Sequence, residues 1–336
     1  MKKFKKICMM EQMELKKWLE RLLKAKYRRV ENDDGFLYAK GNVPILLTAH
    51  MDTVHKDKCT EIKVVNVDGQ TVLSSPQGIG GDDRCGIWII YKILTKTKYR
   101  PSILFCEDEE IGGVGSNKFA KTVFMEDLKE LKYLVELDRM NSNDAVYYSC
   151  GNYEFMEYIA TTIGYKEAYG SFSDIGHLSP GCDRASVNLS CGYYRQHTLE
   201  EYVIFEEMFD TFKAVEKLLA DANNVDSFDY EEEVYGSYSY FKEMYRRNRW
   251  YDDDTDWFDK EDEEDKDDVS WDELLGTRDM PDYKDGVYEF IYNDKNFKEQ
   301  SYVIEANSFE EAIGMFLIEN PNVCYNDIID YYQYVA

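Results

Sequence analysis

The chain has 336 residues, room for one large or two modest domains, and its 66 acidic against 40 basic side chains give a formal charge of −26. Apolar residues at 44% and aromatics at 15%, with 28 Tyr, exclude a wholly disordered chain. The acidity excludes nucleic-acid binding through a general basic footprint, which neutralises phosphates with Lys and Arg, and leaves cations as the natural partners.

The opening MKKFKKICMM is basic like the start of a signal peptide, but Glu11 and Glu14 interrupt before an apolar segment develops, so no export signal is read. No apolar run approaches the roughly 18 residues that span a bilayer, and no membrane partner is expected. Cys8, Cys59, Cys85, Cys106, Cys150, Cys182, Cys191 and Cys324 are scattered without a Cys-x-x-Cys pair, which suits reduced thiols and a cytoplasmic location. From Met13 to about Arg29, Leu15, Trp18, Leu19, Leu22 and Leu23 recur at three and four residues, predicting an amphipathic helix. Residues 2–29 hold 11 basic and 3 acidic side chains, a solvated face or a docking surface.

Val43–His50 reads as a buried strand with polar residues at its far end. Glu61–Val67 and Thr71–Ser75 flank Asp68-Gly69 as a hairpin, Gly86 to about Thr97 is an apolar helix, and Ser102–Cys106 and Tyr133–Leu137 are short strands. After Asn188-Leu189-Ser190, the stripe Phe205, Met208, Phe209, Phe212, Val215, Leu218, Leu219 marks a long helix. The alternation predicts an α/β fold: a mixed, largely parallel sheet flanked by helices, forming a catalytic domain over residues 1–222. Residues 252–268 carry 12 Asp or Glu and 2 Lys, so 223–284 is read as an acidic, flexible linker. Residues 285–336 form a small α+β domain, with strands at Gly286–Tyr292 and Ser301–Glu305 and a helix from Ser308 that carries Phe309, Ile313, Phe316 and Leu317.

His50, Asp82, Glu110, Asp138 and His197 all fall at ends of predicted strands, where the loops of an open α/β sheet converge on one crevice. Two imidazoles and three carboxylates suit Zn²⁺ or related divalent ions, and five donors exceed the needs of one tetrahedral ion unless a carboxylate bridges two.

In order, the motifs Ala49-His50-Met51-Asp52-Thr53-Val54, Gly80-Gly81-Asp82-Asp83-Arg84-Cys85-Gly86, Asp108-Glu109-Glu110-Ile111-Gly112, Glu136-Leu137-Asp138 and Gln196-His197-Thr198 resemble those of the co-catalytic dizinc exopeptidases. That superfamily includes the glutamate carboxypeptidase, peptidase T and zinc aminopeptidase families, and the resemblance spans about residues 43–205. It implies that Asp82 bridges two ions, that His50 and Asp138 complete one site, and that Glu110 and His197 complete the other. The ions implied are two Zn²⁺, with Co²⁺ or Mn²⁺ as alternatives. It further implies that Asp52 fixes the His50 tautomer and that Glu109 is the general base that hydrolyses a peptide or an N-acyl amino acid.

The spacing 197 − 138 = 59 leaves no room for the lid domain that many members insert. Losing the lid removes the imidazole its partner supplies, and Tyr193 and Tyr194 are candidate phenolic donors in its place. Arg139 could bind a substrate carboxylate bidentately or simply balance the acidic site. His177 could line the pocket, while His55, in a Lys-rich loop, is read as a surface residue. A reading from another class remains: a non-catalytic metal-binding scaffold that recruits a protein partner through the acidic linker and the C-terminal domain.

Overall fold

Phe4, Ile7 and Cys8 lie three and four residues apart, which makes the basic N-terminus a helix, α1 (Lys2–Cys8), with that stripe buried and the Phe4 ring 6.4 Å from Trp88. The computed structural model describes residues 1–170, 172–231, 286–293, 299–306, 316 and 328–335. It divides into a unit over Met1–Glu233 and another over Val234–Ala336. Helix α2 (Gln12–Lys24) stops short of the expected Arg29, because the chain turns at Ala25 and Tyr27 donates its hydroxyl to the Pro101 carbonyl at 2.7 Å. A hairpin, β1 (Val30–Asp33) and β2 (Phe36–Ala39), leads into β3 (Val43–His50). Then come the expected hairpin β4 (Lys63–Val67) and β5 (Gln70–Ser74), helix α3 (Gly81–Lys96) and β6 (Pro101–Cys106).

Two short helices, α4 (Val114–Ala120) and α5 (Met125–Leu128), precede β7 (Tyr133–Arg139). Residues 140–196 stay within the same unit: β8 (Asp144–Val146), α6 (Tyr153–Ile163), β9 (Lys166–Ala168), α7 (Ile175–Cys182), β10 (Ser186–Ser190) and β11 (Tyr193–Tyr194). No separate domain is inserted among the described residues of that stretch. Strand β12 (Tyr202–Ile204) and helix α8 (Phe205–Asp221) follow.

The main sheet has the order β1-β2-β6-β3-β7-β10-β8-β9, with β6, β3, β7 and β10 parallel to their neighbours in that run. Strand β3 explains its own sequence. Ile45, Leu47 and Ala49 join a core with Leu15, Ile87, Val135 and Phe212, whereas Leu46 faces a second core with Phe36, Tyr38, Phe119 and Leu178. A strand covered on both faces must be apolar throughout, until the chain emerges at its carboxyl end. A four-stranded sheet, β11-β12-β5-β4, forms beside that end. No helix of the described residues is long and apolar enough to cross a membrane, and seven described cysteines are buried.

The boundary expected at 222 is not where the first unit ends. Phe228 packs on Tyr133, Phe155 and Tyr158, and its backbone bonds Lys132 and Ala185, so residues 223–231 belong to the first unit. The acidic run 252–268 lies outside the described residues. In the second unit β13 (Gly286–Asn293) pairs antiparallel with β14 (Glu299–Ala306), as expected, and also with an unexpected strand, β15 (Ile328–Val335). The helix expected from Ser308 lies outside the described residues except at Phe316, which is helical and buried, its ring 5.6 Å from Tyr302.

Gly86 sets how closely α3 approaches the sheet: a Cβ there would sit 1.9 Å from the Leu137 carbonyl oxygen. Replacing Gly by Ala inside a helix ordinarily adds about 1 kcal/mol of stability. Here Gly86→Ala is expected to lower the thermal midpoint instead, and a raised midpoint in calorimetry would show that α3 can retreat from β7 freely.

Candidate metal centre

Strands β3, β6 and β7 end at the same level, and the loops leaving them meet the start of α3 and the loop after β11. His50, the last residue of β3, is fully enclosed. Its Nε2 lies 2.9 Å from Asp82 Oδ1 and 3.5 Å from Asp138 Oδ1, and its Nδ1 lies 3.1 Å from Asp52 Oδ1. On the other side, His197 Nε2 lies 3.2 Å from Asp82 Oδ2 and 3.0 Å from Glu110 Oε2. All five residues singled out from the sequence as ligand candidates therefore come together, with the Asp82 carboxylate between the two imidazoles. Ligand atoms of His50, Glu109 and Asp138, and those of His50, Asp82 and Glu110, lie within 4.8 Å of one another.

The backbone of this cluster is held by side chains. Asp52 accepts the Glu109 N–H on Oδ1 and the Glu110 N–H on Oδ2, each at 3.1 Å. The Glu109 carbonyl accepts from Gly112 and Gly113, closing a tight turn. Buried Glu107 anchors the near end of this turn through Lys16 Nζ at 2.8 Å and the Gly35 N–H at 2.9 Å. Asp83 accepts the His50 N–H at 3.1 Å and the Gly86 N–H at 2.8 Å, and the Asn188 amide bonds both the N–H and the carbonyl of Asp138 at 2.8 Å. Arg84, also buried, donates to the carbonyls of Met51 and Asp52 and so supports the loop that follows β3.

Crowding acids with so little positive charge displaces their titration. Burial, the charges of Asp138 and Asp174 and that of Asp82 push Glu109 up to about 9, and burial with the Asp82 charge pushes Asp138 up to about 7. Burial and the charges of Asp174 and Asp138 raise Glu136, and burial raises Asp83. Burial opposes protonation of His50, but the carboxylates of Asp138, Asp52 and Asp82 outweigh it and raise its pKa. Bonds to Asp82 and Glu110 push His197 up to about 10. For Asp82, the bonds from His197 and His50 overcome burial and hold it below the usual carboxylate range. The donor set fits divalent cations: carboxylate and imidazole donors converge, and Glu110 Oε1 is buried without a partner among the described residues.

The other candidates separate. Tyr193 is buried and donates its hydroxyl to Asp138 Oδ1 at 3.1 Å, whereas Tyr194 is drawn away to Glu207 at 2.6 Å and stacks on Tyr202. Arg139 follows Asp138 with its buried Nε unpartnered among the described residues, and His177 Nε2 is likewise buried and unpartnered, with its ring against Phe172 and Gly113. The surface reading of His55 is corrected. Its side chain is 7% exposed because it folds over Gly78 (φ +83°), where a Cβ would meet it at 2.2 Å, and its Nε2 lies 2.8 Å from Glu201 Oε2. Sequence reasoning missed Glu201, Asn188 and the buried layer in which Ser173 bonds both Glu136 and Asn188. The only hint of that layer was the polar alternation Ser186, Asn188, Ser190 in a strand buried throughout.

Residues 37–174 match the model of peptidase family M28, a stretch that includes His50, Asp82, Glu109, Glu110 and Asp138 and stops before His197. The fold is similar to that of aminopeptidase PepT from Bacillus cereus ATCC 10987, with 17% identity, 66% of this chain and 97% of that chain covered, and a TM-score of 0.51. It is also similar to that of a tripeptidase from Staphylococcus aureus subsp. aureus Mu50, with 12% identity, 66% and 97% covered, and a TM-score of 0.53. A comparison with curated protein sequences finds no match.

The titration pattern has a sign. Glu109, Asp138 and His197, like His50, Asp83 and Glu136, hold protons more tightly folded than unfolded, so the folded chain carries more protons over an interval reaching about 9 for Glu109 and about 10 for His197. Stability must fall as pH rises through that interval. Asp52 and Asp82, both lowered, act only in acid. In chelator, the thermal midpoint is expected to drop between about pH 6 and about pH 9, and saturating Zn²⁺ to remove most of the drop. A midpoint that rises over this interval in chelator would contradict the assignment.

Proposed function

We propose that this chain, whose residues 37–174 match peptidase family M28 and whose fold is similar to that of an aminopeptidase and a tripeptidase, releases the amino-terminal residue of short peptides with the help of two divalent ions. The division of the Asp82 carboxylate carries this reading: Oδ1 faces His50 and Oδ2 faces His197, as a bridging carboxylate requires. His50 and Asp138 would complete one site, Glu110 and His197 the other. The nitrogen and carboxylate donors suit Zn²⁺, with Co²⁺ or Mn²⁺ as substitutes. Asp52, on the far nitrogen of His50, holds the tautomer that leaves Nε2 free to ligate.

Bound ions in such a pair supply Lewis acidity to the scissile carbonyl and ease deprotonation of a water. Glu109, which lies within reach of His50 and Asp138, would take that proton and return it to the leaving amine. The overall reaction consumes one water and one amide and yields a carboxylate and an amine. The surplus of carboxylates favours a substrate that presents a free ammonium, and the names of the aminopeptidase and the tripeptidase with this fold point the same way. Arg139, whose buried Nε has no hydrogen-bond partner among the described residues, is placed in sequence directly after Asp138 to receive the carboxylate at the other end of a short peptide. The scattered, buried cysteines favour work in a reducing compartment such as the cytoplasm.

Metal analysis of the purified full chain is expected to find two ions. Glu109→Gln should retain both and lose about 10²- to 10⁴-fold in kcat; activity unchanged in that variant would remove Glu109 as the base. Among tripeptides, N-blocked dipeptides and N-acyl amino acids, only the free-amine peptides should be cleaved. Turnover of the blocked substrates at a comparable rate would reverse the direction of attack.

A further inference from the structure

Glu201 stands four residues after His197, in a stretch, Leu-Glu-Glu-Tyr, that reads as a solvated turn, yet it is fully buried. Its Oε1 accepts the backbone N–H of Asp82 at 3.0 Å, and its Oε2 accepts the N–H of Gly80 at 2.8 Å and faces His55 Nε2 at 2.8 Å. Three donors on two oxygens satisfy a carboxylate that would otherwise be costly to bury. Those donors come from two different loops, the one that follows His50 and the turn that delivers Asp82, while Glu201 itself rides on the loop of His197. The Glu201 N–H bonds the Thr198 carbonyl and the Thr198 hydroxyl bonds the Arg195 carbonyl, so His197 and Glu201 lie on one hydrogen-bonded loop.

We infer that Glu201 is a positioning residue that locks the His197 loop to the Asp82 turn and thereby fixes the distance between these two side chains. The inference rests on the two-ion reading above and adds to it a residue that touches neither ion nor substrate. Among the described residues, the 3.2 Å approach of His197 to Asp82 is the one link of that imidazole to the turn, and the His197 side chain is 52% exposed. The buried contact through Glu201 is what keeps the exposed one in register. Truncation to Ala leaves the N–H groups of Gly80 and Asp82 and the His55 ring nitrogen without a partner, and lets the turn and the loop drift apart. Gln keeps one acceptor oxygen and turns an amide N–H₂ towards a donor.

The test uses the full chain, a chelating dye as competitor for Zn²⁺, and the visible spectrum of the Co²⁺-substituted protein. Tyr165→Phe serves as a control, since it removes a buried hydroxyl bonded to Thr211 at 2.8 Å, outside the cluster. Glu201→Ala should lose about 10- to 100-fold in affinity for the more weakly held ion and change the Co²⁺ bands. Glu201→Gln should fall between it and the unsubstituted chain, and it carries the test if the Ala variant does not fold. Tyr165→Phe should lower the thermal midpoint while leaving affinity and spectrum alone. If both Glu201 variants merely lower the midpoint as the control does, with affinity and spectrum unchanged, the positioning role is overturned. If the unsubstituted chain binds fewer than two ions, the metal-centre reading itself fails, and this is read before any variant is made.

Discussion

Repulsion among carboxylates gathered at one edge of the sheet is the constraint to which the surrounding structure answers. Asp82, Glu109, Glu110 and Asp138 meet around two imidazoles, and Asp83, Glu136 and Asp174 are buried close behind them. Such a gathering persists only if the backbone beneath it cannot relax. Each member is accordingly held by a polar side chain: the His50 N–H by Asp83, Asp82 by Glu201, Glu109 and Glu110 together by Asp52, and Asp138 by Asn188. The acids thus divide into two kinds. Some have their oxygens occupied by backbone N–H groups and act as stitches between loops, while others, such as Glu110, keep an oxygen unclaimed.

That division explains which residues were legible in the sequence. His50, Asp82, Glu110 and Asp138 stand at the ends of strands or beside glycines, where strand periodicity and motif order both announce them. The stitches carry no such mark. Glu201 reaches Asp82 across 119 positions, and nothing in its neighbours distinguishes it from Glu200. His55 was misread because the lysines around it are solvated, while its own ring turns inward over a glycine. Tyr193 and Tyr194 look equivalent in sequence, but successive strand residues face opposite sides, and only the first reaches Asp138.

The fold shows the same pattern. Strand β3 was readable to the residue because both its faces are covered, and the hairpin of β4 and β5 because Asp68-Gly69 dictates its turn. Helix α1 escaped notice because its four lysines read only as a basic opening like that of a signal peptide, although Phe4 and Ile7 are fully enclosed. The packing of Phe228 likewise depends on three aromatic rings distant in sequence, which no local pattern displays.

The two imidazoles that flank Asp82 are not equivalent. His50 is sealed at the end of a central strand, while the His197 side chain is 52% exposed on a loop between two short strands. Two ions held there would differ in lifetime rather than in chemistry alone, with the one beside His50 retained as a near-permanent part of the protein and the one beside His197 free to turn over with the surrounding medium.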